Sequence, residues 1–399
     1  MYYLQNNIEI VSGVKRFCVY DFNTKKMYSL DLDAKNILDR IINNDDAEEL
    51  ALGSDAGKYF LRERIIVDKS KLTPKIAIPT FNFNVTFAWI EITQNCNLIC
   101  RHCYEGSSRK ERKPEMSLES FKRTVDELLE LNVKSIQLVG GEPLMHSKIE
   151  QLIDYVAGKF TYIEIYTNGT MLTDKLLKVI KDKNISLAMS IYSEQPKIHD
   201  YVTRTNGSLG LTKGNIKKSF EMQIPIRLAS VEMKDVPSFQ LTSFDVPFRS
   251  DLPRLTGRAD LSLYSKDMLR RKLITKASFS RPIAMEEFYK NKSIHNCYGE
   301  RLYIDCKLNA YPCAMERRLC YGNLKGKHIN EILNDQFAEM TKDKIDGCKD
   351  CEYRYACYDC RCDANNAPIK SKPWYCTYDQ DNGIWIDEDK YIDELLDKQ

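Results

Sequence analysis

Thiols constrain this chain more than any other feature. Of its 14 cysteines, three fall within eight residues (Cys96, Cys100, Cys103), ten lie between Cys297 and Cys376, and Cys18 stands alone. Grouped thiols either oxidise in pairs or bind metal, and the compartment decides which. The N-terminus, MYYLQNNIEI, lacks a basic-then-apolar signal layout, and no run of about 18 apolar residues exists, so a cytoplasmic location without a membrane span is expected. In that reducing setting the grouped cysteines read as metal ligands or catalysts. Charge narrows the field further: 59 Lys+Arg against 57 Asp+Glu leave +2, scattered along the chain, which argues against nucleic acid as the partner.

With 399 residues, 43% of them hydrophobic, the chain has the length for two to three domains. Residues 1–75 open with IEIV (8–11), FCVYDF (17–22) and MYSLDL (27–32), a three-stranded antiparallel unit. A helix carrying Ala34, Ile37, Leu38, Ile41 and Ile42 follows, then a second over 46–62 and a strand at 64–67, in the manner of a winged-helix-like module. From residue 85 to 285, strand-like runs (85–92, 135–139, 162–166, 186–191, 224–231) alternate with amphipathic helices (117–131, 147–158, 173–183, 212–222). Ser117 and Thr173 are N-caps for the first and third. This is the pattern of an α/β fold, a βα barrel or partial barrel whose chemistry sits at the C-terminal strand ends. Residues 290–380 are irregular and Cys-rich, so metal rather than a core is expected to order them. An acidic, solvated helix is expected in the tail, 381–399.

Directly after the first barrel strand comes Cys96-Asn-Leu-Ile-Cys100-Arg-His-Cys103. Three thiolates on one tight loop hold three irons of a 4Fe-4S cluster, which ordinarily takes four Cys, and leave one iron open. Spacing alone also admits a zinc site. The next strand ends in Gly140-Gly141-Glu142-Pro143, two glycines permitting close backbone approach to a ligand beside a carboxylate. In this combination the sequence resembles the radical S-adenosylmethionine (radical SAM) superfamily, and a partial (β/α)6 barrel is the fold that the resemblance implies. It further implies that Gly140, Gly141 and Glu142 meet the amino group of SAM, that the open iron is chelated by SAM, and that Thr167-Asn168-Gly169 and Ser190 line its pocket. By the same resemblance His102 flanks the adenine and Arg204 pairs with the SAM carboxylate. A packed histidine and a solvated arginine are the plain alternatives for those two.

The C-terminal array is Cys297-x15-Cys313, Cys348-x2-Cys351-x5-Cys357-x2-Cys360, then Cys376. Its five-residue gap is too short for a zinc ribbon. The array looks like the SPASM extension of radical SAM peptide-modifying enzymes, and CKDCEYRYACYDCR is similar to maturases of the grasp-with-spasm and ranthipeptide type. That likeness implies two auxiliary 4Fe-4S clusters, for a total of three: one on Cys348, Cys351, Cys357 and Cys376, the other on Cys297, Cys313 and Cys360. Spacing leaves Cys362 a rival to Cys360, and either Cys306 or an open iron completes the second set. Leu308 replaces a glycine of the pattern, with Asn309 as the candidate for the positive-φ position.

The implied activity is post-translational modification of a ribosomally made precursor peptide. A 5′-deoxyadenosyl radical takes a hydrogen from a substrate carbon, and Cys96, Cys100 and Cys103 carry the catalytic cluster. Thioether cross-linking is the first expected product and carbon–carbon cyclisation the next. A sulfatase-maturase-like oxidase is the alternative within enzymes; a peptide-binding iron-sulfur or zinc scaffold is the alternative outside them. The implied partners are the precursor peptide, its leader adding to a sheet edge in residues 1–75, and an electron donor such as flavodoxin or ferredoxin.

Overall fold

The computed structural model describes residues 1–107, 113–239, 241–358, 360–364 and 366–397. At the N-terminus, β1 (Tyr2–Leu4), β2 (Ile8–Ser12), β3 (Arg16–Asp21) and β4 (Lys26–Asp31) precede α1 (Leu32–Ile42), α2 (Ala47–Gly53), α3 (Asp55–Arg62) and β5 (Ile66–Asp68). Strands β2, β3 and β4 form an antiparallel sheet with β3 central, while β1 pairs with β5. The single helix expected over 46–62 is two, because Ser54 leaves the helical conformation and caps α3 by accepting the Gly57 N–H at 2.9 Å.

The central strand explains why FCVY is apolar without alternation: both of its faces are buried. Phe17 and Val19 pack on Leu38, Ile41 and Phe60 of the helices. Cys18 and Tyr20 point the other way, onto Phe288, Tyr289 and Tyr355. Cys18 is therefore a small buried hydrophobe. Hydrogen bonds complete this second seam, from Tyr20 Oη to the Glu352 carbonyl (2.8 Å), from Val14 N to Asp350 O (3.1 Å) and from Tyr289 Oη to Glu9 (2.6 Å).

The middle of the chain builds β6 (Phe87–Thr93), α4 (Leu118–Glu130), β7 (Ser135–Gly140), α5 (Ile149–Val156), β8 (Tyr162–Thr167), α6 (Asp174–Asp182), β9 (Ser186–Ser190), α7 (Pro196–Thr203), α8 (Ser208–Glu221), β10 (Ile226–Val231) and β11 (Phe248–Asp251). These six strands are parallel, in the order β11-β10-β9-β8-β7-β6, the partial (β/α)6 barrel that the family resemblance implies. Ser117 and Thr173 cap α4 and α6 as expected. Strand β11 and helix α7 escape a sequence reading, since FRSD is short and polar and PKIHDYVT has no long apolar stripe.

Ile90, Ile136, Leu138, Ile163, Ile165 and Leu187 form the layer under the helices. The opposite face of the strands carries polar groups that bond one another: Trp89 Nε1 donates to Gln137 (2.8 Å), Gln137 to Glu164, and Arg227 to both oxygens of Glu164 (2.8 and 2.7 Å). Buried polar atoms must be paired, and here groups from four strands pair inside the barrel.

After α9 (Lys266–Lys272) and α10 (Met285–Ser293), β12 (Arg301–Ile304) adds in parallel beside β6 and turns back through β13 (Asn309–Tyr311) and β14 (Gly322–Asn323), giving nine strands. The β12–β13 turn corrects one expectation: Leu308 itself takes the left-handed conformation (φ 71°), and Asn309 does not. Asp305 holds this turn by accepting from Lys307 N (2.9 Å) and Asn309 N (2.8 Å). The closing helix, Glu388–Asp397, is not wholly solvated either, for Ile392 is buried against the α9 side chains Met268 and Leu269.

Phe288 is fully buried and meets Tyr20, Phe22 and Tyr355 edge-on at 4.8–5.2 Å. Phe288→Ala is expected to cost about 3–5 kcal/mol in urea unfolding and to speed proteolysis between residues 72 and 86, where the N-terminal module joins the barrel.

Candidate active site

At the open end of the barrel, β6 and β7 finish unusually close together. Gly141 N donates to the Thr93 carbonyl (2.9 Å) and Glu142 N to the Asn95 carbonyl (2.7 Å). A Cβ on Gly140 would overlap the Thr93 carbonyl oxygen, and one on Gly141 that of Asn95. The glycines thus serve the approach of one strand end to another, not only of backbone to ligand. This contact delivers the chain directly into Cys96.

The three-cysteine loop is held from the far edge of the sheet. Arg258 N donates to the Cys103 carbonyl (3.0 Å), its Nε to the Cys100 carbonyl (2.9 Å) and its Nη1 to the Ser107 carbonyl (2.7 Å). Three backbone acceptors on one guanidinium-bearing residue fix the loop without engaging its thiols. Burial pushes the Cys96 thiol up to about 12, helped by the Glu142 carboxylate. Burial also raises Cys100, and the neighbouring thiols Cys103 and Cys96 add to it. Sulfurs so placed ionise only with a cation among them, which fits an iron–sulfur cluster.

Cys96, Cys100 and Cys103 line a cavity of about 390 Å³. His102, Gly140, Gly141, Thr167, Asn168 and Ser190 line it too, one or more from each of four successive strand ends. His102 presents its edge to the Tyr192 ring at 4.9 Å, and its buried Nδ1 has no protein partner. Burial lowers its pKa to about 4, with Arg258 adding to the effect, so the ring is neutral at pH 7.

Two sequence expectations change. Glu142 is fully buried and is not among the residues lining the cavity: it accepts from Thr167 Oγ1 (2.6 Å), Asn168 N (2.7 Å) and Leu144 N (3.1 Å). Its lone pairs are engaged in tying the β7 end to the β8 end, and burial raises its pKa to about 7 against those donors. Arg204 is exposed at the C-cap of α7, in a left-handed conformation, away from the cavity. Among the described residues, the arginines that reach the cavity wall are Arg254 and Arg301. Neither they nor Arg258 carries a sequence signal, because each lies in a segment without periodicity.

The opposite wall belongs to the Cys-rich region, through Cys297, Cys313, Cys360 and Cys362. Cys360 and Cys362 Sγ are 3.3 Å apart, so spacing set against each other two residues that the fold brings together. Cys306 is elsewhere: it follows β12, its N–H donates to Glu91 (3.1 Å), and its thiol faces the same carboxylate. It does not join this set, because the turn led by Asp305 holds it at the sheet. Cys348, Cys351, Cys357 and Cys376 ring a second, smaller cavity together with Lys342, Arg354 and Lys372. Among the described residues no three His, Cys, Asp or Glu side chains gather tightly enough for a single metal ion. Among the described residues, too, no helix is long and apolar enough to cross a membrane.

Comparison with known proteins agrees with this geometry. The chain matches the radical SAM superfamily over residues 90–231. It is 34% identical over 144 residues to the antilisterial bacteriocin subtilosin biosynthesis protein AlbA of Bacillus subtilis, an alignment spanning 36% of this chain but only 32% of AlbA. It is 30% identical over 167 residues to a GTP 3′,8-cyclase of Syntrophomonas wolfei, covering 40% of this chain and 51% of that protein. In fold it is similar to Streptococcus suis SuiB, solved bound to the precursor peptide SuiA, with a TM-score of 0.58 over 93% of this chain and 98% of SuiB at 13% identity. With Cys96, Cys100 and Cys103, the two glycines and Ser190 all inside the matched stretch, residues 90–231 of this chain are a radical SAM domain.

Proposed function

We propose that this enzyme modifies a ribosomally made precursor peptide, with thioether cross-linking as its reaction and carbon–carbon cyclisation as the nearest variant. The observation that carries this reading is the single cavity whose two walls are the three-cysteine loop and the thiols of the Cys-rich region. A small-molecule cyclase is the competing class, since a GTP 3′,8-cyclase aligns with the barrel. What favours a peptide is extent: the likeness to SuiB, whose solved complex holds a precursor peptide, runs across nearly the whole of both chains. A sulfatase-maturase-like oxidase shares much of this plan, and the module of residues 1–75 is the feature that favours a leader-directed maturase over it.

Cys96, Cys100 and Cys103 hold the first iron–sulfur cluster, Cys348, Cys351, Cys357 and Cys376 an auxiliary one, and Cys297, Cys313 and Cys360 another. When loaded, the first cluster supplies the electron that cleaves SAM to the hydrogen-abstracting 5′-deoxyadenosyl radical. The chain's own residues position and enclose. Arg258 keeps the loop carbonyls fixed, Gly140 and Gly141 let the β7 end close on the loop, and neutral His102, braced edge-on by Tyr192, offers an uncharged ring for the adenine. Asn168 and Ser190 supply polar contacts for SAM, and Glu142 sets the backbone of the Asn168 loop. A flavodoxin or ferredoxin is the fitting reductant.

Strand β4 pairs only with β3 among the described residues, which leaves an edge to which an extended leader can add. Because the second face of this sheet is buried on α10 and Tyr355, the full chain and not a 1–75 fragment is the proper test.

Anaerobic reconstitution should give about twelve irons per chain and SAM cleavage; zinc with no turnover would mean a scaffold instead. The triple variant C96A/C100A/C103A is expected to lose 5′-deoxyadenosine formation while staying folded and keeping auxiliary iron, and persistent SAM cleavage in it would refute the radical site. Met27→Pro, on the β4 edge, is expected to weaken leader binding in calorimetry of the full-length enzyme at least tenfold, about 1.4 kcal/mol, by removing a backbone donor. SAM cleavage without peptide should survive that change, and unaltered leader affinity would move recognition away from β4.

A further inference from the structure

Cys360, Arg361, Cys362 and Asp363 form a tight turn in which Asp363 N returns to the Cys360 carbonyl at 3.0 Å. The turn is pinned from every side. Cys360 N donates to Tyr375 Oη (2.8 Å), the Arg361 carbonyl accepts from Arg318 (2.9 Å), and the Asp363 carboxylate accepts from Leu255 N (3.0 Å) and Trp374 Nε1 (3.2 Å). Arg361, between the two cysteines, turns away, its guanidinium donating to the carbonyls of Ser371 (2.8 Å) and Ile369 (3.3 Å). The flanking thiols both face the large cavity, 3.3 Å apart. Cys313, on the same wall, is in side-chain contact with Cys362, and Cys297 completes the wall with its sulfur 3.7 Å from Tyr358 Oη. Cys306, the other thiol that could have completed this group, is held at the sheet by Glu91. Arg254 brings a positive charge to Cys360 and Cys362, as a site of several thiolates requires.

We propose that Cys362 is the fourth protein ligand of the auxiliary iron–sulfur site formed with Cys297, Cys313 and Cys360, so that this site is closed and offers no iron to the thiol of a peptide substrate. The inference rests on the maturase reading above and sharpens it. With two auxiliary sites of four thiols each and a first loop of three, only the loop of Cys96, Cys100 and Cys103 leaves an iron for an outside ligand. A substrate cysteine is then placed by the cavity wall, not by a bond to auxiliary iron.

The test uses full-length C96A/C100A/C103A, reconstituted anaerobically so that only auxiliary clusters contribute, and reads iron content and the electron paramagnetic resonance spectrum of the reduced protein with and without 2-mercaptoethanol. The expected result is a spectrum indifferent to the added thiol. Introducing Cys362→Ala or, as the milder change, Cys362→Ser should make the spectrum respond to the thiol and lower iron by up to about half, the share of one of two clusters. Cys306→Ala in the same background should match its parent. A thiol-dependent spectrum in the parent, or Cys362→Ala and Cys362→Ser with parental iron and spectrum, would overturn the inference; the parent measurement needs no substitution at residue 362, so misfolding cannot hide the answer. A parent without any auxiliary iron would instead bring down the maturase reading itself.

Discussion

The site depends on two strand ends meeting backbone to backbone. Because residues 140 and 141 lack side chains, the end of β7 bonds directly to the carbonyls of Thr93 and Asn95, and the loop that follows begins from a fixed place. Glu142, next in sequence, repeats the device one strand further along through Thr167 and Asn168. The carboxylate is buried without a cationic partner, an arrangement tolerable only because three donors converge on it. The cost is small against the result, which is a rim of three strand ends with one geometry.

Arg258 closes this rim from outside the run of glycines. It follows β11, at the far edge of the parallel sheet, yet bonds to carbonyls of the loop that follows β6. A partial barrel has an unclosed gap between its terminal strands, and the segment after β11 spans that gap with a side chain instead of a ladder of hydrogen bonds. The Cys-rich region covers what remains open, so the cavity is roofed by groups that bring thiols rather than by a lid of plain loop.

Much of this was legible in the sequence. Five of the six parallel strands are rich in apolar residues, most of the helices between them carry 3.6-residue stripes, and the caps Ser117 and Thr173 stand where they should, so the order of the barrel could be read up to β10, without α7 and β11. Cys96, Cys100 and Cys103 could be placed because they follow a strand. What could not be read is whatever a side chain does across long sequence separation. Arg204 looked like a partner for an anion but ends α7 in a left-handed turn, a role for which sequence offers no sign. Cys360 and Cys362 looked like alternatives because spacing counts residues along a line, while the turn through Arg361 folds the line so that both face one way. The family resemblance implies that Glu142 meets SAM, whereas its carboxylate faces the next strand.

The two-faced sheet of residues 8–31 bears on how the protein is made. Its helix-facing side is complete once the chain has been made as far as Ile66, but the cover of Val11, Cys18, Tyr20 and Phe22 waits largely for Phe288, Tyr289 and Tyr355. The strands of this sheet are therefore finished only after the whole parallel barrel has been made, and one apolar face waits for that partner. Damage near residue 355 should consequently appear at the opposite terminus, as an N-terminal sheet with one naked face.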